Sequence, residues 1–289
     1  MLHKNILLLL TFIFVSNPVV ANNTVANKHS IEKFCLKLSD KLRTVTLQGC
    51  NSFNLDTMNR FSDDGYPLTH KEILPKQDLP PKGKILFIGG IHGDEYAAIS
   101  LTYLWLEALL NENNQTPYHW LFLPVANPDG LFSLPATRTN GNSVDLNRNF
   151  PSPDWDEKAI STWKIHYNSN KRRYPGASAN SEVETQWMVK IIQRFNPDAI
   201  IAIHAPFGLL DYDGPVHAQP DKIGHLQHRA LGTYPGSLGR YAGEHLEIPV
   251  LTLELDSAGK MPQPSEIKTM LADLEQWVDD KIKQKFVDM

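Results

Sequence analysis

The feature that most constrains the fold is a set of short, continuously apolar runs, each followed at once by polar residues. They are KILFIGGI at residues 84–91, HWLFLPVANP at 119–128, IIAIH at 200–204 and PVLTLELD at 249–256. Runs of this length and character are typical of strands that are buried on both faces. Because helical segments lie between them, we expect an α/β domain with a mostly parallel sheet and helices on both faces.

Helices are predicted at residues 95–110, 181–194 and 265–283, and a shorter one at 31–42. Ser181 and Glu184 have the S-x-x-E spacing of a capping box at the start of the second of these helices. We therefore assign these two residues a structural role and no catalytic one.

The composition and the net charge of the chain limit the classes of function that it can have. The chain has 289 residues, of which 42% are hydrophobic and 21% charged, as in an ordinary globular protein with one large domain. The net charge is −4, and the 28 basic residues are spread along the chain instead of clustered. Nucleic acid is therefore a poor candidate partner.

Residues 1–21 resemble a signal peptide, with Lys4 before an apolar run and small residues up to Ala21, after which we expect cleavage. A retained anchor would need about 18 consecutive apolar residues, and Pro18 and its neighbours interrupt the run before that. We therefore expect a periplasmic or secreted protein with no stable membrane anchor after cleavage.

Residues 22–83 are interpreted as an N-terminal extension that ends in the loop DLPPKG, and residues 84–289 as the catalytic domain. Cys35 and Cys50 are the only cysteines, and an exported chain favours a disulfide between them. Two buried free thiols are the alternative.

Three residues at strand ends indicate a metal site. His92 and Glu95 form an H-x-x-E pair after the first apolar run, and His204 ends the strand IIAIH. Two imidazoles and one carboxylate leave a fourth tetrahedral position for water, as in catalytic zinc sites. The pair alone is a weak signal, and His204 alone could be a hydrogen-bonded core histidine. Together they predict one Zn²⁺ per chain.

Glu254 lies among aliphatic residues near the end of the last apolar run, where a carboxylate is costly to bury. Burial would raise its pKa toward the range that suits a general base. A carboxylate paired with a nearby Lys or Arg is the alternative interpretation.

The motifs GGIHGDE, NPDG, RTNGNSVDLNRNFP and NSEVET, with His204 and Glu254 in the same order, strongly resemble the zinc carboxypeptidase family over residues 84–256. The resemblance implies a sandwich with an eight-stranded sheet, zinc on His92, Glu95 and His204, and Glu254 as the general base and acid. It also implies that Arg138 polarises the scissile carbonyl, while Asn147 and Arg148 hold a substrate carboxylate.

Within that family, YPGSLG at residues 234–239 and DGP at 213–215 look similar to bacterial murein peptide amidases, which cleave γ-D-glutamyl-meso-diaminopimelate in cell-wall peptides. The resemblance thus implies a peptide or peptidoglycan-fragment substrate. The roles of Tyr234 and Asp213 are left open. A general metallocarboxypeptidase or N-acyl amino acid deacylase stays an alternative, as does a zinc-binding protein without turnover.

Overall fold

A computed structural model describes residues 19–75, 81–110 and 116–282, and among them a six-stranded sheet forms the centre of the protein. The strand order is β1-β3-β2-β4-β8-β5. The strands of this sheet are β1 (Lys71–Ile73), β2 (Lys84–Gly89), β3 (His119–Leu123), β4 (Ala199–His204), β5 (Leu209–Asp213) and β8 (Val250–Glu254), and a separate two-stranded sheet consists of β6 (Lys222–Ile223) and β7 (Leu226–Gln227).

The four inner strands, β3, β2, β4 and β8, are parallel, and the two edge strands β1 and β5 pair antiparallel to their neighbours. The inner strands are buried on both faces because two hydrophobic clusters cover them. Phe87 belongs to one cluster, while Leu86 and Ile88 belong to the other. This alternation is what a continuously apolar strand requires.

Helices pack on both faces of the sheet. They are α1 (Val19–Lys41), α2 (Leu47–Ser52), α3 (Tyr96–Leu110), α4 (Pro128–Phe132), α5 (Trp155–Ile165), α6 (Val183–Phe195) and α7 (Pro264–Trp277), and α7 continues as a π-helical turn at Val278–Ile282. Short 3-10 turns at Leu146–Arg148, Lys171–Arg173 and Val216–Ala218 and a π-helix at Gly239–His245 complete the described elements.

The predicted α/β class, the mostly parallel sheet and the helices are confirmed. The described residues form eight strands, but six of them make the main sheet and two make the small one. The structure therefore differs from the expected single sheet of eight strands, because two of the strands form a sheet of their own. The helix predicted over residues 265–283 changes to π-helical geometry after Trp277.

A disulfide links two helices within the N-terminal extension, and a short strand joins the extension to the sheet. The predicted disulfide between Cys35 and Cys50 is present, with a Cα–Cα distance of 5.6 Å, and it links α1 to α2. Strand β1 then adds to the sheet edge beside β3. The apolar run of the predicted signal peptide lies outside the described residues, and the expected cleavage point after Ala21 falls within α1.

In the described part of the chain, no helix is both long enough and apolar enough to cross a membrane.

The predicted capping box at the start of α6 is wrong. The N-cap residue is Glu182, one position later than expected, and its side chain makes no capping hydrogen bond. Ser181 instead donates to Glu182 Oε1, and Glu184 accepts a hydrogen bond from the Asn140 side chain. Contacts to a distant loop therefore replace the local capping bonds at this helix start.

Candidate active site

The carboxyl ends of β2, β4 and β8 converge on one point, as expected for an open parallel sheet. His92 and Glu95 lie in the turn between β2 and α3, and His204 is the last residue of β4. Glu254 ends β8 and pairs in register with His204. All four side chains are buried, so the fold brings together the residues that the sequence placed at separate strand ends.

His92, Glu95 and His204 form a group that could hold a metal ion. The two Nδ1 atoms are 3.1 Å apart, His92 Nδ1 is 2.8 Å from Glu95 Oε1, and His204 Nδ1 is 3.0 Å from Glu95 Oε2. Nitrogen ligands about 2.0–2.1 Å from one tetrahedral zinc would be separated by little more than these distances. Burial raises the pKa of the Glu95 carboxyl, but the two histidines outweigh it and hold that pKa below its usual range.

The donor set agrees with zinc in its chemistry as well as its spacing. Imidazole nitrogen and carboxylate oxygen are the ligands found in catalytic zinc sites, and three protein ligands leave one position open. His92 Nε2 lies 3.1 Å from an oxygen of Asp145, which can only accept a hydrogen bond. A neutral His92 that donates to Asp145 therefore presents an unprotonated Nδ1 to Glu95 Oε1, and two lone pairs face each other. A cation between the three groups resolves this conflict.

Glu254 has the surroundings of a general base. Its Oε2 atom is buried and has no hydrogen-bond partner among the described residues. Burial raises the pKa of its carboxyl to about 6, against the opposing effect of His204. A carboxylate in this state has a free oxygen directed at the site and a proton affinity suited to transfer near neutral pH.

Asp145 contacts both His92 and Arg138, and the sequence pattern did not point to it. It is completely buried, and its Oδ1 is 3.1 Å from His92 Nε2. Arg138 Nε donates to its other oxygen at 2.8 Å, while Arg138 Nη1 is 3.7 Å from Glu95 Oε1. Asp145 therefore fixes the ring of a metal-site histidine and the position of the arginine together, a common arrangement behind metal ligands.

Arg148 lies between two tyrosines. Its Nη2 donates to the Tyr167 hydroxyl at 2.9 Å, and its guanidinium lies 4.5 Å over the ring of Tyr234. Its Nε is buried and has no partner in the described residues. Asn147 is held next to it, because its Oδ1 accepts from the Leu238 amide at 2.8 Å. The pair is thus positioned before any ligand arrives.

One cavity of about 540 Å³ contains all seven predicted site residues. Its wall also includes residues that the sequence did not single out for the site: Arg172 and Arg173 from the 3-10 turn at Lys171–Arg173, and Tyr167 before it. The run KRR was the signal that could have pointed to the two arginines, since it concentrates three positive charges.

Asp213, at the end of β5, also lines the cavity. Within the described residues its carboxylate has no hydrogen bond or ion pair. A Cβ at Gly239 would collide with this carboxylate, and one at Gly243 would collide with the Cβ and backbone of Asp213. Burial, followed by the charges of Asp211 and Glu244, raises its pKa to about 7. The cavity therefore has a carboxylate on one wall and several guanidinium groups on others.

The fold and this site define a metal-dependent hydrolase. A family model described as zinc carboxypeptidase matches residues 58–213, which is more than half of the chain. The chain belongs to the zinc carboxypeptidase family. This confirms the resemblance inferred from the motifs and the assignment as an enzyme.

Curated relatives include two murein peptide amidases A. The one from Vibrio campbellii is 29% identical over 178 residues, which cover 59% of this chain and 68% of the relative. The one from Escherichia coli strain K12 is 28% identical over 172 residues, covering 58% and 59%. The chain thus spans about three fifths to two thirds of the length of these relatives.

Solved structures share the fold. The murein-tripeptide amidase from Escherichia coli O157 is 22% identical, with a TM-score of 0.53 over 77% of this chain and 90% of that one. Carboxypeptidase A from Helicoverpa armigera is 17% identical, with a TM-score of 0.57 over 92% and 80%. At these identities the likeness is one of fold.

Proposed function

We propose that this chain is an exported zinc peptidase that hydrolyses an amide bond next to a free carboxylate, and that its substrate is the γ-D-glutamyl-meso-diaminopimelate bond of peptidoglycan peptides. The observation that carries this proposal is the common cavity, in which Glu254 and the metal group share one space with Arg148. A hydrolytic centre and a carboxylate anchor in one cavity select the bond beside a chain terminus.

In the proposed reaction, each residue of the site has a separate role. His92, Glu95 and His204 would hold the zinc ion, which when bound would supply a Lewis acid for attack on the scissile carbonyl. Glu254 takes the proton of the attacking water and passes it to the leaving amine. Arg138, fixed by Asp145, donates to the oxygen that becomes negative during attack.

Arg148 and Asn147 hold the carboxylate of the leaving residue. A guanidinium binds a carboxylate in bidentate geometry, which determines the bond that faces Glu254. The contacts of Arg148 to Tyr167 and Tyr234 orient the guanidinium in advance, so less rotamer entropy is lost when the substrate binds.

The charges of the cavity wall support a zwitterionic leaving residue. Diaminopimelate has an ammonium and a carboxylate at its far end in addition to the carboxylate beside the scissile bond. Asp213 offers an unpaired carboxylate for the ammonium, and Arg173 offers a guanidinium for the distal carboxylate. The murein peptide amidase relatives support the same substrate class.

The predicted signal segment supports export, and so does the disulfide between Cys35 and Cys50, because disulfides persist in oxidising compartments. Peptidoglycan lies outside the inner membrane, where such a protein would meet it.

Mass spectrometry of L-Ala-γ-D-Glu-meso-diaminopimelate before and after incubation with the mature zinc-loaded protein tests the proposal. We expect release of free diaminopimelate, and no release by the Glu254→Gln variant. Hippuryl-type peptides run in parallel identify the rivals. Faster cleavage of those peptides would mean a general carboxypeptidase or a deacylase, and cleavage of neither would mean a zinc-binding protein without turnover.

A further inference from the structure

A second group of acidic side chains lies away from the active-site cavity, where the N-terminal extension meets helix α6. It consists of Asp63 from the extension, Glu182 at the N-cap of α6 and Glu184 in its first turn. One oxygen from each carboxylate lies within 4.8 Å of the others. Glu182 and Glu184 are buried, and Asp63 is exposed, so the group is open to solvent on one side.

No basic side chain compensates this charge in the described residues. No Lys, Arg or His of residues 30–75, 81–110 or 116–282 forms an ion pair with any of the three carboxylates. Asp129 and Asp63 instead act on Glu184 as further negative charges. Three carboxylates held this close are unfavourable unless they share a proton or a cation.

The hydrogen bonds that the group does receive are neutral. Asn140 Nδ2 donates to Glu182 Oε2 at 2.8 Å and to Glu184 Oε2 at 3.0 Å. Asn142 Nδ2 donates to Asp63 Oδ2 at 2.6 Å and to Glu182 Oε2 at 3.0 Å. The two amides, together with the Ser181 hydroxyl that donates to Glu182 Oε1, hold the carboxylates in place and leave their charge unneutralised.

Glu184 has a buried carboxylate oxygen without a hydrogen-bond donor among the described residues. The residue is 0% exposed, yet its Oε1 atom has no hydrogen-bond partner in the described structure. A buried carboxylate oxygen without a donor is costly, because burial removes its hydration and no protein hydrogen bond replaces it. Its carboxylate is part of the acidic group, so a cation bound to that group would compensate the charge of this carboxylate.

We propose that Asp63, Glu182 and Glu184 bind a calcium ion. All the donors are oxygens, which hard cations prefer and zinc does not. The three oxygens lie within 4.8 Å of one another, so one ion with calcium–oxygen bonds of about 2.3–2.6 Å can reach all of them, and calcium accepts the irregular geometry of such a set. Magnesium needs shorter bonds of about 2.0–2.1 Å in regular octahedral geometry and is the weaker match.

Calcium at this point connects three segments. Asp63 comes from the extension, the glutamates come from the start of α6, and Asn140 belongs to the loop that follows Arg138. The ion would thus add a further link between the extension and the catalytic domain, besides the pairing of β1 with β3 and the hydrogen bond from Asn142 to Asp63. Its effect would be on stability, with the catalytic zinc unchanged.

Calorimetric titration of the full-length mature, zinc-loaded protein with CaCl₂ at pH 7.5 tests this site, with MgCl₂ as the comparison. We expect one calcium ion per chain with a Kd of about 10⁻⁴–10⁻³ M, the range of extracellular calcium modules. Thermal unfolding in 10 mM CaCl₂ should then show a Tm higher by about 3 °C or more. No heat of binding and no shift in Tm up to 10 mM would overturn the proposal, as would tighter binding of Mg²⁺.

Two variants locate the ion. Asp63→Asn changes an exposed residue and should leave folding intact, while Glu184→Gln replaces the buried oxygen donor by an amide. Each should weaken calcium binding by at least about tenfold, because affinity depends on ligand charge. Glu157→Gln, an exposed carboxylate on α5, is the matched control and should bind calcium like the wild type. Unchanged binding in both cluster variants would place the calcium elsewhere and refute the site.

Discussion

Glu254 and His204 lie side by side as register partners on the neighbouring parallel strands β8 and β4. Adjacent strands are about 4.8 Å apart, and register partners point to the same side of the sheet. The proposed base and a proposed metal ligand are therefore positioned by backbone hydrogen bonds of the central sheet. Such a pair needs no loop movement to come together.

Replacing Glu254 by Gln should remove the base and keep the shape of the side chain. We expect turnover to fall by about 10²–10⁴-fold, with the larger loss favoured because one residue serves both proton transfers. Zinc content, measured by plasma mass spectrometry, should stay at one per chain. Glu157→Gln serves as the control with wild-type activity. Retention of more than about a tenth of wild-type turnover would assign the base to another residue.

Loss of a proposed zinc ligand should abolish both zinc binding and activity. His204→Ala removes one of three ligands from the end of β4, so zinc should be lost on dialysis together with activity. His92→Ala should behave in the same way. Full activity of the wild type after exhaustive chelation, with zinc shown to be absent, would contradict the metal assignment.

Arg148 should affect substrate binding and leave zinc in place. Loss of a charged hydrogen-bonding partner costs about 1.5–3 kcal/mol, so Arg148→Ala should lower kcat/KM by about 10- to 150-fold, mainly through KM. The control is the same peptide with an amidated terminus, which lacks the carboxylate. Wild type and variant should cleave that peptide at similar rates, and an equal loss on both peptides would exclude a role in carboxylate binding.

Asp213 is expected to bind the ammonium group at the far end of the leaving residue. Asp213→Asn should reduce kcat/KM for L-Ala-γ-D-Glu-meso-diaminopimelate by about tenfold or more. The matched substrate ends in alanine, which has no distal ammonium, and the variant should cleave it as the wild type does. Selectivity between the two substrates is the quantity to compare. If it is the same in both enzymes, Asp213 does not contact the ammonium.

The central strands were predictable from the sequence because burial on both faces leaves a continuous apolar run. The edge strands were not. Strand β1 is only the tripeptide KEI, and β5 reads LLDYD, so neither shows a pattern that separates it from a loop. Their strand geometry comes from pairing with β3 and β8, which is a tertiary contact.

The same distinction applies to the site. His92, His204 and Glu254 stand at strand ends, where topology brings them together. Asp145 and Tyr167 come from the long connection between β3 and α6, and no local pattern sets its path. Glu184 shows the reverse error, because the local S-x-x-E pattern predicted a capping box that does not form, and the Glu184 carboxylate accepts a hydrogen bond from Asn140 instead.

The acidic group also predicts how stability depends on pH. Burial raises the pKa of Glu184 from 4.5 to about 7, with Asp129 and Asp63 adding to the effect. A carboxyl whose pKa is higher in the folded state favours folding below pH 4.5, and its contribution is lost as pH rises through about 7. In calcium-free buffer this loss should reach about 3 kcal/mol by pH 8.

Urea unfolding of wild type and Glu184→Gln at intervals from pH 4 to 8 isolates this contribution, because the amide does not titrate. The difference in unfolding free energy should change by about 3 kcal/mol in favour of the variant as pH rises, while Glu157→Gln follows the wild type throughout. Saturating calcium should reverse the trend, since the ion stabilises the ionised carboxylate. Parallel curves for wild type and Glu184→Gln without calcium would show that Glu184 titrates alike in the folded and unfolded states.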